Sequence, residues 1–343
     1  MRSMKQRVVL CCAMWCIFTG FAALSGAADP VVRFQMGVAC PLDSPYVRMA
    51  ETFASRMSGL TSGRIAIEVV VLSQPNAERD LYTRVTRGRI DMACLEPWGL
   101  GAQLPRLALL GQPFMFASPQ HARMFYEGEG GMRIGEIMSA EGVAILGWIE
   151  SVPAVIAAAR PLGDAESFRK MHIGVTDAAP ERQRAFSAAY EKLGASTTVV
   201  ANAVLGAAAL ARGGVDGLRT TPAELLAAAD RLPADVRQAT LVGDEYPFFA
   251  VCIAESSLAG LTGDIKEQFL GALQLAAIEG GGAVATLNDE ARSRLSEMGF
   301  VFGEADMAAL AAAVGDSSGG SVSGTDRALQ EAVVEVRKPL LIQ

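Results

Sequence analysis

Few residues in this chain have the type and spacing to do chemistry, and each has a plainer reading. There are two histidines, His121 and His172. A zinc site needs three or four histidine, cysteine or carboxylate ligands, some of them a few residues apart, and neither histidine has such a neighbour. The pentapeptide GDSSG, Gly315 to Gly319, fits a nucleophile elbow, in which a strained strand-to-helix turn lifts a serine toward a base. It sits inside GDSSGGSVSG, Gly315 to Gly324, whose Ser/Gly composition is that of a flexible linker, and a linker cannot hold that strain. GEGGMRIG, Gly128 to Gly135, is glycine-rich, but its spacing matches neither the dinucleotide nor the phosphate-loop pattern and it follows no strand. It reads as a helix with a surface break. Cys40, Cys94 and Cys252 lie in apolar, strand-like settings and are odd in number, so they read as buried free thiols rather than a disulfide framework. One group is harder to place: within GGVDGLRTTP, Gly213 to Pro222, a single cation, Arg219, stands in a short glycine-flanked strand.

Such residues act only where a fold brings them together, and the pattern between them is regular. VVRFQMGVAC from Val31 reads as a strand, and DSPYVRMAETFASRMSGLT as a helix with Ser44 as N-cap and Pro45 at its first position. A strand (RIAIEVVVL), a helix (NAERDLYTRVTRG) and a strand (IDMACLEPW) follow. After LLGQPFMF the alternation continues through SPQHARMFYEGEGGMRIGEIMSA, VAILGWIES, AVIAAA, MHIGV, APERQRAFSAAYEKLG, STTVV, AVLGAAALARG and VDGLRT. QATLVGDEYPFFAVCIAESS holds two strand-like runs, and a long helix starts at Asp264, which Gly280, Gly281 and Gly282 should weaken or bend. TDRALQEAVVEVRKPLLIQ carries Leu329, Val333, Val336 and Leu340 on one helical stripe. Strand alternating with helix implies an α/β fold with mostly parallel sheets and helices on their faces.

The chain has 343 residues, 51% hydrophobic and 20% charged, enough apolar material for about two domains. Its first 28 residues place Arg2, Lys5 and Arg7 before an apolar run from Val8 to Leu24 and small residues from Ser25 to Ala28, the order of an export signal. The run is about 17 residues, at the lower edge of a membrane span, so cleavage and retention as an anchor both fit. Cys16 follows Met14 and Trp15 rather than small residues, and lipid attachment there stays an open alternative. The product expected is exported and periplasmic, free or membrane-tethered. The formal net charge is −7, with three of the cations in the export segment. The remainder is more acidic still, which points away from nucleic acid and anionic membranes as partners.

Several segments, in order, resemble the DctP-type extracytoplasmic solute-binding proteins of tripartite ATP-independent periplasmic (TRAP) transporters. They are DSPY (Asp43 to Tyr46), SGRIAIEV (Ser62 to Val69), NAERDL (Asn76 to Leu81), RGRIDMA (Arg87 to Ala93), LLGQPFMF (Leu109 to Phe116), RPLGDAESFRKMHIGV (Arg160 to Val175), KLGAS (Lys192 to Ser196) and GGVDGL (Gly213 to Leu218). The resemblance covers Val31 to about Ala313. It implies a two-domain periplasmic-binding-protein-like fold joined by crossing strands and a long helix, with a small organic ligand held between the domains. The closed binder would deliver its ligand to membrane permease subunits, with no catalysis, no cofactor and no metal. The domains expected are 29–152 plus about 243–280, and 153–242 plus about 281–314, followed by a linker (315–324) and a C-terminal helix or tail (325–343).

The departures from the family matter as much. Its carboxylate-holding arginine, in a Lys-Ile-Arg-Val strand, is matched here by Gly174 in His172-Ile173-Gly174-Val175, and a second family arginine falls near Pro153. Where the family has an acid or amide after Val-Asp-Gly stands Arg219. Three readings of it stay open: a relocated carboxylate anchor, a cation paired with an acid such as Glu78 or Glu96, or a solvated surface residue. The positions implied to line the cleft are Tyr46, Glu78, Glu96, Trp98, Trp148, Gly174, Arg219, Tyr246 and Phe248. A lining so rich in aromatics, without the usual arginine, favours an apolar or amphipathic ligand over a small dicarboxylate. The departures also resemble the branch that adds a tetratricopeptide-repeat partner, for which the C-terminal helix is either a docking segment or a helix folded back on its own domain. The rival functions are a non-transporting interaction or sensor protein on the same fold, a carboxylate binder using Arg219, and an enzyme, which lacks a credible nucleophile and base.

Overall fold

A computed structural model describes residues 32–40, 42, 44–74, 76–176, 180–315 and 324–336. The export-signal reading and nearly all of the Ser/Gly linker lie outside them.

The structure has two mixed sheets flanked by helices. The first contains β1 (Val32–Ala39), β2 (Ile65–Leu72), β3 (Met92–Leu95), β4 (Val143–Glu150) and β10 (Phe248–Ala254), in the spatial order β2-β1-β3-β10-β4. The second contains β5 (Val155–Ala158), β6 (His172–Val175), β7 (Ser196–Val199), β8 (Gly217–Thr220), β9 (Gln238–Leu241) and β11 (Val301–Glu304), in the order β11-β9-β5-β8-β6-β7. Each is less parallel than the alternation suggests. In the first, β10 runs antiparallel to both β3 and β4, and in the second β5 runs antiparallel to both β8 and β9. The cause is the crossing of the chain: β4 leads through residues 151–154 into β5 of the other sheet, and β9 returns through 242–247 into β10. The two connections lie side by side, with the Ser151 N–H donating to the Pro247 carbonyl at 2.9 Å.

Sequence-level caps start the helices that matter for function. Ser44 accepts from the Tyr46 N–H through its Oγ and Pro45 opens α1 (Pro45–Leu60). Helix α2 (Ala77–Thr86) and α3 (Pro97–Gln103) complete the first domain's edge near β3. SPQHARMFYEGEGGMRIGEIMSA forms two helices, α4 (Pro119–Glu127) and α5 (Glu129–Ser139), broken at Gly128. The break is structural rather than superficial: Gly130 and Gly131 are buried, and a Cβ on Gly131 would lie 1.8 Å from the Tyr126 carbonyl oxygen. On the second sheet lie α6 (Pro180–Lys192), α7 (Ala203–Ala211) and α8 (Pro222–Ala228), the last capped by Thr221 and Glu224 in a capping box.

After α9 (Glu255–Ala259) comes the long helix α10 (Gly263–Glu297), unbroken through the glycine triplet. A Cβ on Gly280 would meet the Met49 Cγ at 2.7 Å, so this glycine lets α1 and α10 approach closely instead of ending the helix. Farther along, Asn288 is buried, donates to the Val284 carbonyl and accepts from the Ala223 N–H at the start of α8, tying α10 to the second domain. Helix α11 (Met307–Val314) packs on α6. Helix α12 (Arg327–Val336) lies against α4 and α5, with Leu329, Ala332 and Val333 buried, so this part of the C-terminal stripe covers its own first domain, while Leu340 lies outside the described residues.

Candidate ligand-binding cleft

Strands β1, β2 and β3 are mutually parallel, as are β6, β7 and β8, so their C-terminal ends gather along one edge of each sheet. The two edges face each other across a cleft of about 560 Å³. From the first domain it is lined by Cys40 after β1, Gln74 after β2, Glu96 after β3, and Tyr46, Glu78 and Trp98 on the adjoining helices. From the second it is lined by Thr176, Arg182, Asn202, Arg219, Thr221 and Glu224. Ser151, Val152, Glu245, Pro247 and Phe249, from the crossing connections and the start of β10, form its back.

Charge is concentrated where the connections meet the second domain. Arg219, on β8, donates from Nε to Asp244 Oδ2 at 2.6 Å and from Nη2 to Asp244 Oδ1 and Glu245 Oε2, both at 3.2 Å. Tyr190 donates its hydroxyl to Asp244 Oδ2 at 2.7 Å, and the Arg219 guanidinium lies 4.2 Å from the Phe186 ring centre. Burial opposes the arginine's charge, but the Asp244 and Glu245 carboxylates more than offset it and hold the guanidinium above its ordinary range. Arg182, near the start of α6, donates from Nη1 to Glu96 Oε2 at 2.7 Å and also pairs with Glu245. Glu96 accepts as well from the Trp98 Nε1–H. The Arg182–Glu96 pair therefore spans the cleft from one domain to the other.

Glu78 stands deeper. Its Oε2 accepts from the Glu96 backbone N–H at 3.3 Å, while its Oε1 is buried with no hydrogen-bond partner. Burial, and then the neighbouring Glu96 carboxylate, push its carboxyl well above the usual range; the Glu96 N–H and Arg182 oppose this only in part.

Of the residues singled out in the sequence, Tyr46, Glu78, Glu96, Trp98 and Arg219 meet in this cleft. The other four do not line it. Trp148 faces a groove beside α10 and packs on Tyr126, 4.8 Å between ring centres. Gly174 is buried within β6, where a Cβ would point at Val200 and Leu218. Tyr246 and Phe248 border a narrow adjoining crevice; Phe248 packs on Tyr126, and the Tyr246 hydroxyl donates to Met307 Sδ at 2.7 Å. The aromatic, apolar lining expected from the sequence is thus corrected: Tyr46, Trp98 and Phe249 share the cleft with several hydroxyls, amides and carboxylates. Arg219 is 5% exposed, which removes the surface reading, and its carboxylate partners are Asp244 and Glu245 rather than Glu78 or Glu96.

Arg182, Asp244 and Glu245 were missed. ERQRAF resembles the solvated face of a helix and GDEYP a polar turn; the available signal was that each directly follows a strand whose C-terminal end points to the cleft. Cys94 and Cys252 are buried free thiols and Cys40 is a half-buried one. His121 and His172 lie on separate elements, and the His172 Nδ1 is 2.8 Å from Ser196 Oγ.

Comparison with known proteins agrees with this architecture. A solute-binding protein of Roseobacter denitrificans is 28% identical over 318 residues, 91% of this chain and 93% of the relative. The crystal structure of a TRAP periplasmic solute-binding protein from Sulfitobacter sp. NAS-14.1 with bound β-D-galacturonate superposes with a TM-score of 0.70 at 18% identity, covering 89% of this chain and 99% of that one. One from Ochrobactrum anthropi, with its C-terminus bound in the ligand-binding pocket, superposes with a TM-score of 0.73 at 19% identity, covering 90% and 94%. Residues 36–317 match the model of the bacterial extracellular solute-binding proteins, family 7 (DctP). The chain belongs to that family, a family of periplasmic solute receptors and not of enzymes.

Proposed function

We propose that this protein is the solute receptor of a TRAP-type transporter: it captures a small organic molecule between its domains, closes over it, and presents the closed faces to the membrane permease subunits. The observation that carries this reading is the cleft of about 560 Å³, lined from both domains and backed by two adjacent crossing connections. That is the arrangement in which hinge closure buries a ligand.

A cleft of this size accommodates a molecule like the galacturonate held by the Sulfitobacter protein. Its lining favours an amphipathic solute, with Tyr46, Trp98 and Phe249 against the apolar part and Gln74, Thr176, Asn202 and Thr221 against the polar part. Gly174, where a side chain would face Val200 and Leu218, contributes nothing to this lining. Among the described residues Arg182 and Arg219 are the cations lining the cleft, and both are engaged by acids of the protein itself.

Native mass spectrometry of the full chain purified from periplasmic extract should show a bound small molecule that is released on denaturation. Adding it back should shrink the radius of gyration in small-angle scattering. A protein that releases no small molecule, and whose dimensions no periplasmic extract changes, would be no such receptor.

A further inference from the structure

The cleft carries more negative charge than its cations neutralise. Among the described residues that line it, the acids are Glu78, Glu96, Glu224 and Glu245 and the cations are Arg182 and Arg219. The two guanidiniums face three carboxylates of the protein itself: Glu96 and Glu245 on Arg182, Asp244 and Glu245 on Arg219. Glu224 is taken up in capping α8, where its Oε2 accepts from the Thr220 hydroxyl at 2.6 Å and the Thr221 N–H at 3.2 Å. Glu78 is what remains, with one oxygen on a single backbone N–H and the other buried without a partner. Burying a carboxyl oxygen unsatisfied is costly, and a fold retains such a group where something else completes it.

Resting on the receptor reading above, we propose that the ligand carries an organic cation, an ammonium or guanidinium group, which Glu78 and Glu96 receive from the first domain. A carboxylate solute would meet guanidiniums that are already paired and two further acids. A cation supplies the donors that Glu78 lacks.

The groups facing Glu78 are Glu96, Arg182 and the thiols of Cys40, Cys94 and Cys252. A cation favours the ionised carboxylate, which burial and Glu96 disfavour, so binding should release a proton and strengthen as pH rises.

The test uses the full chain stripped of endogenous ligand by denaturation and refolding, in thermal-shift and calorimetric titrations with agmatine and putrescine against D-glucuronate and D-galacturonate. At least one of the two cations should raise the melting midpoint and neither uronate should. Its affinity should rise as the pH is raised above the ordinary carboxylate range in the wild type, and fall by about tenfold or more and lose that pH dependence in Glu78→Gln. Should Glu78→Gln fold poorly, Glu96→Gln serves, with the same loss of affinity expected. Stabilisation by a uronate and not by either cation overturns the cation inference and leaves the receptor reading standing. If no probe shifts the midpoint, the molecule released from the native protein decides: a cation supports the inference, and an anion or neutral molecule sinks it. No released molecule together with no shift overturns both readings.

Discussion

Two arginine–aspartate clusters in this molecule use the same pairing in different surroundings. Arg219 and Asp244 have side chains 6% and 1% exposed; Arg133 and Asp326 have side chains 31% and 9% exposed. The first cluster is enclosed by Tyr190 and Phe186, and the Asp244 carbonyl also receives the Phe114 N–H at 2.8 Å. It fixes residues 242–247, one of the two crossing connections. The second sits at the rim of the first domain, where Arg106 joins through a guanidinium that is half in solvent, and it fixes only the start of α12. The pairs are about equally short, so their distances do not rank them. What differs is what each ion would lose if its partner were removed: Asp244 would be left buried and charged, whereas Arg133 would turn to water.

The largest effect should therefore come from Arg219→Ala. Removing one member of a buried pair costs about 3–5 kcal/mol, chiefly because the other charge is stranded. Urea unfolding should show a loss of that size. A cost within the range of a surface pair, under about 1 kcal/mol, would break the contrast between the clusters.

This ranking was not legible in the sequence, and the reason lies in particular residues. Strand and helix identities follow from local periodicity and capping, as at Ser44 and Pro45, because those signals act within one turn. The insertion of β10 between β3 and β4 is decided by pairing across roughly a hundred to a hundred and sixty residues, as with Val251 opposite Cys94 and Gly147, and leaves no local trace. The same holds for the glycines. Gly131 and Gly280 read as breaks, yet their role is set by Tyr126 and Met49 pressing on the space a side chain would fill. In the cleft, Glu78, Glu96 and Arg219 were legible because the family pattern and strand ends mark them. Arg182 and Asp244 were not, since a polar helix face and a polar turn look alike whether they face solvent or each other's charge.

Arg182 sharpens the contrast from between the two extremes. Its pair with Glu96 has side chains 13% and 20% exposed and bridges the domains rather than lying within one. Arg182→Ala should cost about 1.5–3 kcal/mol, the range of a hydrogen bond to a charged group, and should open the cleft, seen as a larger radius of gyration in small-angle scattering. A stability loss equal to that of Arg219→Ala would show that burial does not set the order. Unchanged dimensions would show that the pair does not hold the domains together.

The smallest effect should come from the exposed cluster, and pH reaches it without mutation. Hydrogen bonds from Arg133 and Arg106 and from the Leu329 N–H hold the Asp326 carboxyl below the ordinary carboxylate range, against a smaller opposing effect of burial. Because its folded-state pKa is depressed, Asp326 contributes stability that is complete above the unfolded aspartate value of about 3.9 and drains away as pH falls toward the folded value. The loss should be local. Hydrogen-exchange protection at Leu329, Ala332 and Val333 should fall as the pH drops below about 4 while protection in β10 persists, and Asp326→Asn should reproduce this at neutral pH with the global unfolding midpoint little changed. Loss of protection in α12 and β10 together would mean that the C-terminal helix is part of the cooperative core, and that a rim cluster can matter as much as a buried one.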